Sequence, residues 1–130
     1  HVSNVTGSIT DLAAVSRAAR RHGAMIFVDG AQAVPHGPVN LQALDIDFYA
    51  FSGHKCYGPT GSGILWAREA VLQDLPPFLT GGGMIERVTA QSTRYLKGHR
   101  RFEAGTPADS PGDRPRRGSG LDGGPAMASH

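Results

Sequence analysis

An α/β fold, a mostly parallel sheet with flanking helices, is the class this sequence predicts. Three observations carry that prediction. The stretch "SITDLAAVSRAARRHG" has helical apolar spacing and leads into "AMIFVDG", a continuous apolar run ending in an acid, the pattern of a buried parallel strand. A helix feeding such a strand is half of a crossover unit. Two more short apolar runs, "FYAFSG" and "GSGILWAR", follow with glycine-rich sequence between them.

Taken in order, "HVSNVTG" reads as the end of a strand entering a turn closed by Gly7. In the helix that follows, Ser8 or Thr10 is the expected N-cap, and Asp11 falls in the first turn, where the dipole favours a negative charge. Leu12, Val15 and Ala19 form the apolar stripe; Arg20, Arg21 and His22 crowd the last turn, and Gly23 suits the C′ position. "LQALDIDFYAFSG" predicts a short turn of helix and a strand centred on Phe48 to Phe51. "GSGILWAR" predicts a third strand paired close by, and "REAVLQDL" a short helix stopped by Pro76 and Pro77. From Pro77 to Pro107 the chain reads as loop, with Gly81-Gly82-Gly83 and few periodic apolar positions. A stretch of that length without regular structure is usually functional or borders a partner.

The character changes after Ala108. "DSPGDRPRRGSGLDGGPAMASH" has no aromatic residue, valine or isoleucine, the composition of a disordered tail. If the codons are those typical of a GC-rich gene, the neighbouring reading frame can yield an amphipathic helix instead. Residues 109–130 are therefore expected to be disordered or separated from the native protein by a frameshift. The opening His1, in the middle of an apolar-polar pattern, gives the expectation of a piece cut from a longer chain.

The bulk numbers exclude several functions. Lys and Arg number 13 against 11 Asp and Glu, and the pI near 9.0 comes from scattered arginines, which leaves no nucleic-acid footprint. Cys56 is the only cysteine, so neither an intramolecular disulfide nor a cysteine-based zinc site can form. A lone thiol fits a reducing interior, and the cytoplasm is the expected compartment. No run approaches the roughly 20 apolar residues of a membrane span.

Two residues could carry chemistry. Asp29 closes a buried strand, where ligands bind in open α/β sheets, and it reads either as a capping acid or as a carboxylate facing a cation. Gln32, in "DGAQA", offers an amide on the same rim. Lys55, in "SGHKCYGPTGSG", follows a strand directly. A phosphate-binding P-loop is the wrong match, because there the glycines precede the lysine. A Schiff-base lysine and a surface lysine remain open on position alone. Together, Asp29 and Lys55 match the needs of pyridoxal phosphate: an amine for the aldehyde and an acid for the ring nitrogen.

"VDGAQAVPHGPVNLQALDIDFYAFSGHKCYGPTGSGILW" resembles the centre of the class V aminotransferase family of pyridoxal-phosphate enzymes. "HVSNVTG" upstream and "RFEAGTP" downstream are similar to motifs of its SUF-type cysteine desulfurases. The resemblance runs from His1 to about Pro107. It implies that residues 1–108 are a fragment of the large cofactor-binding domain of fold type I. It further implies that Lys55 binds the aldehyde, Asp29 the pyridine nitrogen and Gln32 the phenolic oxygen. Ser52 and His54 would donate to the phosphate, Asn4 would orient cofactor or substrate, and Thr106 would reach the phosphate of a partner subunit.

The reaction implied is removal of sulfur from L-cysteine to give L-alanine and an enzyme persulfide, in a homodimer that passes sulfur to an acceptor protein, with iron–sulfur cluster assembly as the setting. Other members of the family, a selenocysteine lyase, a cysteine sulfinate desulfinase, an aminotransferase or an epimerase, share these cofactor residues, and a non-catalytic remnant would keep them too. The persulfide cysteine of the family lies well downstream of the lysine. Cys56 is accordingly expected to be a packing residue, its thiol pointing away from Lys55 if the stretch is extended. His22, His36 and His99 are expected to be surface or loop residues.

Overall fold

Asp11, rather than Ser8 or Thr10, caps the first helix. Its carboxylate accepts the Ala14 N–H at 2.9 Å, which satisfies one of the free donors of the helix end. The computed structural model describes residues 1–106 and 128–129. Helix α1 spans Leu12–Arg21 and buries Leu12 and Ser16, with Ala19 half-buried against the core. Val15, expected in the apolar stripe, is exposed, and Ser16 takes the inward position because its hydroxyl donates to the Asp45 carbonyl at 2.8 Å. Gly23, at φ 64°, ends the helix as expected; the Ala24 N–H returns to the Ala19 carbonyl at 3.0 Å. The expected strand at the start of the chain shrinks to one bridge between Val2 and Ile9 around a tight turn.

The sheet is built from β1 (Phe27–Asp29), β2 (Phe48–Ser52) and β3 (Gly63–Ala67), in that spatial order. β1 and β2 are parallel, with Val28 opposite Tyr49 and Asp29 opposite Ala50. β2 and β3 are antiparallel, with Tyr49 opposite Trp66. The α/β class holds, but the sheet of this chain is mixed where a mostly parallel one was expected. The reason is the link from Gly53 to Ser62, a 3₁₀ turn and a glycine loop, which reverses the chain without a crossover helix.

Helix α2 (Glu69–Asp74) stops before Pro76, as the prolines predict. The segment after it is not all loop: β4 (Ile85–Val88) and β5 (Thr93–Tyr95) pair as a hairpin, and a 3₁₀ turn covers Gly98–Phe102. Arg101 ties that turn to the end of α2 by donating to the carbonyls of Gln73 and Leu75, at 3.0 and 3.1 Å. A two-residue strand, β6 (Ala128–Ser129), pairs antiparallel with Ile64 and Leu65 of β3. The expectation for residues 109–130 otherwise lies outside the described residues.

The core lies on one face of the sheet, where Leu12, Ile26, Val28, Ile46, Tyr49 and Trp66 pack together beneath α1. Each large apolar side chain buried this way contributes about 1.5–3 kcal/mol. A polar clamp closes the same face. Asp47, 4% exposed, accepts two bonds from the Arg20 guanidinium at 2.8 and 2.9 Å and one from the Ile26 N–H at 2.7 Å. Arg68 donates to Asp45 at 2.7 Å and to the Ile46 carbonyl at 3.0 Å. Helix α1, the approach to β2 and the start of α2 are thus joined through one cluster. Burial acts to raise the Asp47 carboxyl pKa, but the hydrogen bonds from Arg20 and the Ile26 N–H and the nearby guanidinium charges outweigh it and hold it below its ordinary value.

Candidate functional site

Asp29 is the last residue of β1, and its position follows from the apolar run before it: Val28 is pulled into the core, so its neighbours face the other side of the sheet. The carboxylate oxygen Oδ1 accepts the Ala31 N–H at 2.8 Å, which fixes the turn leading to Gln32. Gly30 donates to the Ala50 carbonyl at 2.8 Å and cannot carry a side chain, because a Cβ there would overlap the Tyr49 ring. The strand end is therefore clamped directly behind the carboxylate.

Lys55 lies in the 3₁₀ turn Gly53–Cys56 that follows β2. Because β1 and β2 run parallel, Asp29 and the turn after Ser52 emerge at the same end of the sheet. Two glycines shape the turn. A Cβ on Gly53 would collide with the Ser62 hydroxyl, and the Gly58 N–H closes on the Gly53 carbonyl at 2.9 Å. Tyr57, 99% exposed, reverses the chain in the left-handed region at φ 61°. The turn also bears on Cys56. The stretch is helical rather than extended, so strand alternation does not orient the thiol; Cys56 is half-buried.

Two clefts meet at this end of the sheet, and Asp29, Ala31 and Lys55 line both. The polar cleft, about 480 Å³, brings Asn4, Asp29, Gln32 and Lys55 together with His1 and Thr10. The second, about 740 Å³, is an apolar groove walled by Phe27, Phe48, Leu65, Leu72, Phe78 and Phe102. The larger volume is the less chemical one, since its lining is mostly apolar, with Asp29, Ser52, Lys55 and His99 as its polar side chains. Ser52 lines the groove rather than the polar cleft. His54 and Thr106 are exposed and line neither cleft. His99 departs from its expectation as a surface or loop residue, because it is half-buried in the groove wall; His22 and His36 are exposed.

Sequence reading missed His1 and Tyr49. Tyr49 is wholly buried behind Asp29, and its hydroxyl meets His1 Nδ1 at 2.9 Å. Burial first, and then the Asp29 charge, push the Tyr49 phenol up to about 12. A signal did exist in "HVSN", where His1 stands three residues before Asn4. Among the described residues no group of three or more histidine, cysteine or carboxylate side chains could hold a metal, and no helix is long and apolar enough to cross a membrane.

Residues 1–109 match the family model for aminotransferase class-V. The chain is 57% identical over 108 residues to a cysteine desulfurase of Shigella sonnei (strain Ss046), covering 82% of this chain and 27% of that protein. The chain thus spans about a quarter of the length of the curated relatives it matches. Among solved structures it is similar to the cysteine desulfurase CsdA (S-sulfonic acid) of Escherichia coli, with a TM-score of 0.77 and 46% identity, over 82% of this chain and 27% of that one. It is also similar to a mutant of C-DES with glycine covalently linked to its PLP cofactor, with a TM-score of 0.71 and 31% identity, over 82% of this chain and 29% of that one.

Proposed function

Because this chain belongs to the class-V aminotransferase family, we propose that it is the cofactor-binding centre of a pyridoxal-phosphate cysteine desulfurase, which takes sulfur from L-cysteine and leaves L-alanine. The single observation that carries the reading is the polar cleft that gathers Lys55, Asp29, Gln32 and Asn4. Its donor set fits the cofactor: an amine for an aldehyde, a carboxylate for a protonated ring nitrogen, and two amides for the ring's oxygen substituents. Its volume of about 480 Å³ lies within the range of small-molecule sites.

When bound, pyridoxal phosphate supplies an electron sink for the charge released at the substrate α-carbon. Asp29, with Oδ1 engaged by the Ala31 N–H, would hold a proton on the ring nitrogen with its other oxygen. Lys55 Nζ is the amine that would hold the aldehyde, and as a general base it would take the substrate α-proton. Gln32 and Asn4 orient the ring from opposite rims. Ser52 and His54 serve the phosphate from the turn around Lys55, and Thr106 serves the phosphate of a partner subunit in a homodimer. A thiolate other than Cys56 would attack the substrate sulfur as its bond to the β-carbon breaks and leaves the electron pair on carbon, and the sulfur would then pass to an acceptor protein, which fits iron–sulfur assembly in the cytoplasm.

Pyridoxal phosphate added to the chain should give a visible absorption band that Lys55→Ala abolishes. L-Cysteine should shift the band, and the longer protein should release alanine. A band unchanged by Lys55→Ala, or no band in either chain, overturns the reading.

A further inference from the structure

Tyr49 is 0% exposed yet carries a hydroxyl, and a buried phenol needs a polar partner. Among the described residues that partner is His1 Nδ1, at 2.9 Å, with the two rings edge to face and their centroids 6.0 Å apart. His1 is also held through its backbone. Its nitrogen donates to the Asp29 carbonyl at 2.8 Å, and its carbonyl accepts the Thr10 N–H at 2.9 Å.

The consequence appears in the hydrogen bonds of residues 1–10. Their turn closes on itself, Ser3 N–H to Ser8 and Gly7 N–H to Ser3, at 2.9 and 3.0 Å. Among the described residues, the hydrogen bonds that join this segment to the sheet are the two made by His1, one to Asp29 and one to Tyr49. Tyr49 in turn packs under Gly30, directly behind the Asp29 carboxylate. The Asn4 rim and the Asp29 rim of the polar cleft are thus connected through His1, by its part-buried bond to Tyr49 and its backbone bond to the Asp29 carbonyl.

We propose that the Tyr49 hydroxyl and the His1 imidazole form a strut that sets the separation of the Asn4 and Asp29 rims, holding the polar cleft open at the width of an aromatic ring. This inference rests on the cofactor reading above. Tyr49 acts through His1 and is a positioning residue.

The test compares the chain with Tyr49→Phe, His1→Ala, His1→Asn and the double variant Tyr49→Phe/His1→Ala. Loss of this part-buried hydrogen bond should raise amide exchange at Gly7 and Ala31 roughly three- to tenfold in Tyr49→Phe and His1→Ala, with α1 amides unchanged. The double variant should be no worse than His1→Ala. His1→Asn, whose amide offers a polar atom near the Nδ1 position, should return exchange to within about twofold of the parent. Affinity for pyridoxal phosphate, read from the visible band, should fall by the same roughly three- to tenfold in the two disabling variants and recover in His1→Asn.

Unchanged exchange at Gly7 and Ala31, or an equal rise throughout α1, overturns the strut. Faster exchange with unaltered cofactor affinity overturns its positioning role. If the parent chain shows no Lys55-dependent band, the cofactor reading falls instead, and with it the positioning role; the exchange pattern still decides whether the strut exists.

Discussion

Replacing Asp47 by alanine should destabilise this chain more than any change to its exposed acids, although Asp47 touches neither cleft. The change leaves the buried Ile26 N–H, now bonded at 2.7 Å, without an acceptor, which costs about 1–3 kcal/mol. It also removes both bonds from Arg20, whose side chain is 34% exposed and can rehydrate, so that loss adds about 1 kcal/mol at most. The sum is about 1–4 kcal/mol. Trp66, the only tryptophan and a core residue, reports unfolding by fluorescence. With a urea dependence of about 1–1.5 kcal/mol/M for a chain of this size, the midpoint should fall by about 2 M. Asp45→Asn is the control: its side chain is 56% exposed, and the change should cost less than about 1 kcal/mol. Because the folded Asp47 pKa lies below its ordinary value, its contribution is present above pH 3.8 and is lost as pH falls through the lower folded value. The Asp47→Ala stability curve should be flatter in that acid window. A midpoint shift equal to that of Asp45→Asn would refute the reasoning.

Three other outcomes follow from single positions. Gly30→Ala should destabilise by about 1–3 kcal/mol in urea melts, because the new methyl meets the fixed Tyr49 ring rather than a mobile side chain. Tyr57→Gly should raise the urea midpoint, since relief of the left-handed strain, about 1–2 kcal/mol, exceeds the backbone entropy that glycine adds. On alkaline titration followed by phenolate absorbance, the Tyr49 increment should arrive near pH 12 and vanish in Tyr49→Phe. The folded phenol is raised above 10.0, so its contribution to stability is complete below pH 10 and lost as pH rises towards 12.

Local pattern made the framework legible. The apolar runs at Phe27–Asp29, Phe48–Ser52 and Gly63–Ala67 form strands because little else can be done with consecutive large apolar side chains next to turn residues. Asp29 and Lys55 were legible as candidates for the same reason, since each stands at a strand end. The hairpin at Ile85–Val88 and Thr93–Tyr95 was not, because nearly all its side chains are exposed and no apolar alternation marks it. The cap was ambiguous because Ser8, Thr10 and Asp11 are all competent, and only the backbone geometry selects among them. Asp47 is one of the two acids of "DID", with nothing local to separate it from Asp45. Its burial depends on Arg20, 27 positions upstream, a contact that no local window contains. Tyr49 and His1 stayed hidden likewise, as partners 48 residues apart.

Asp29 and Lys55 each line a polar cleft and an apolar groove. They therefore stand on a dielectric boundary, with hydrogen-bonding groups on one side and aromatic and aliphatic walls on the other. Water driven from the groove leaves Asn4, Gln32 and the rest of the polar cleft's own lining in place, and the field between the carboxylate and the amine would strengthen as it leaves. Phe48 and Leu72, which bear no reactive group, are thus placed to tune the electrostatics of Lys55 through what they exclude.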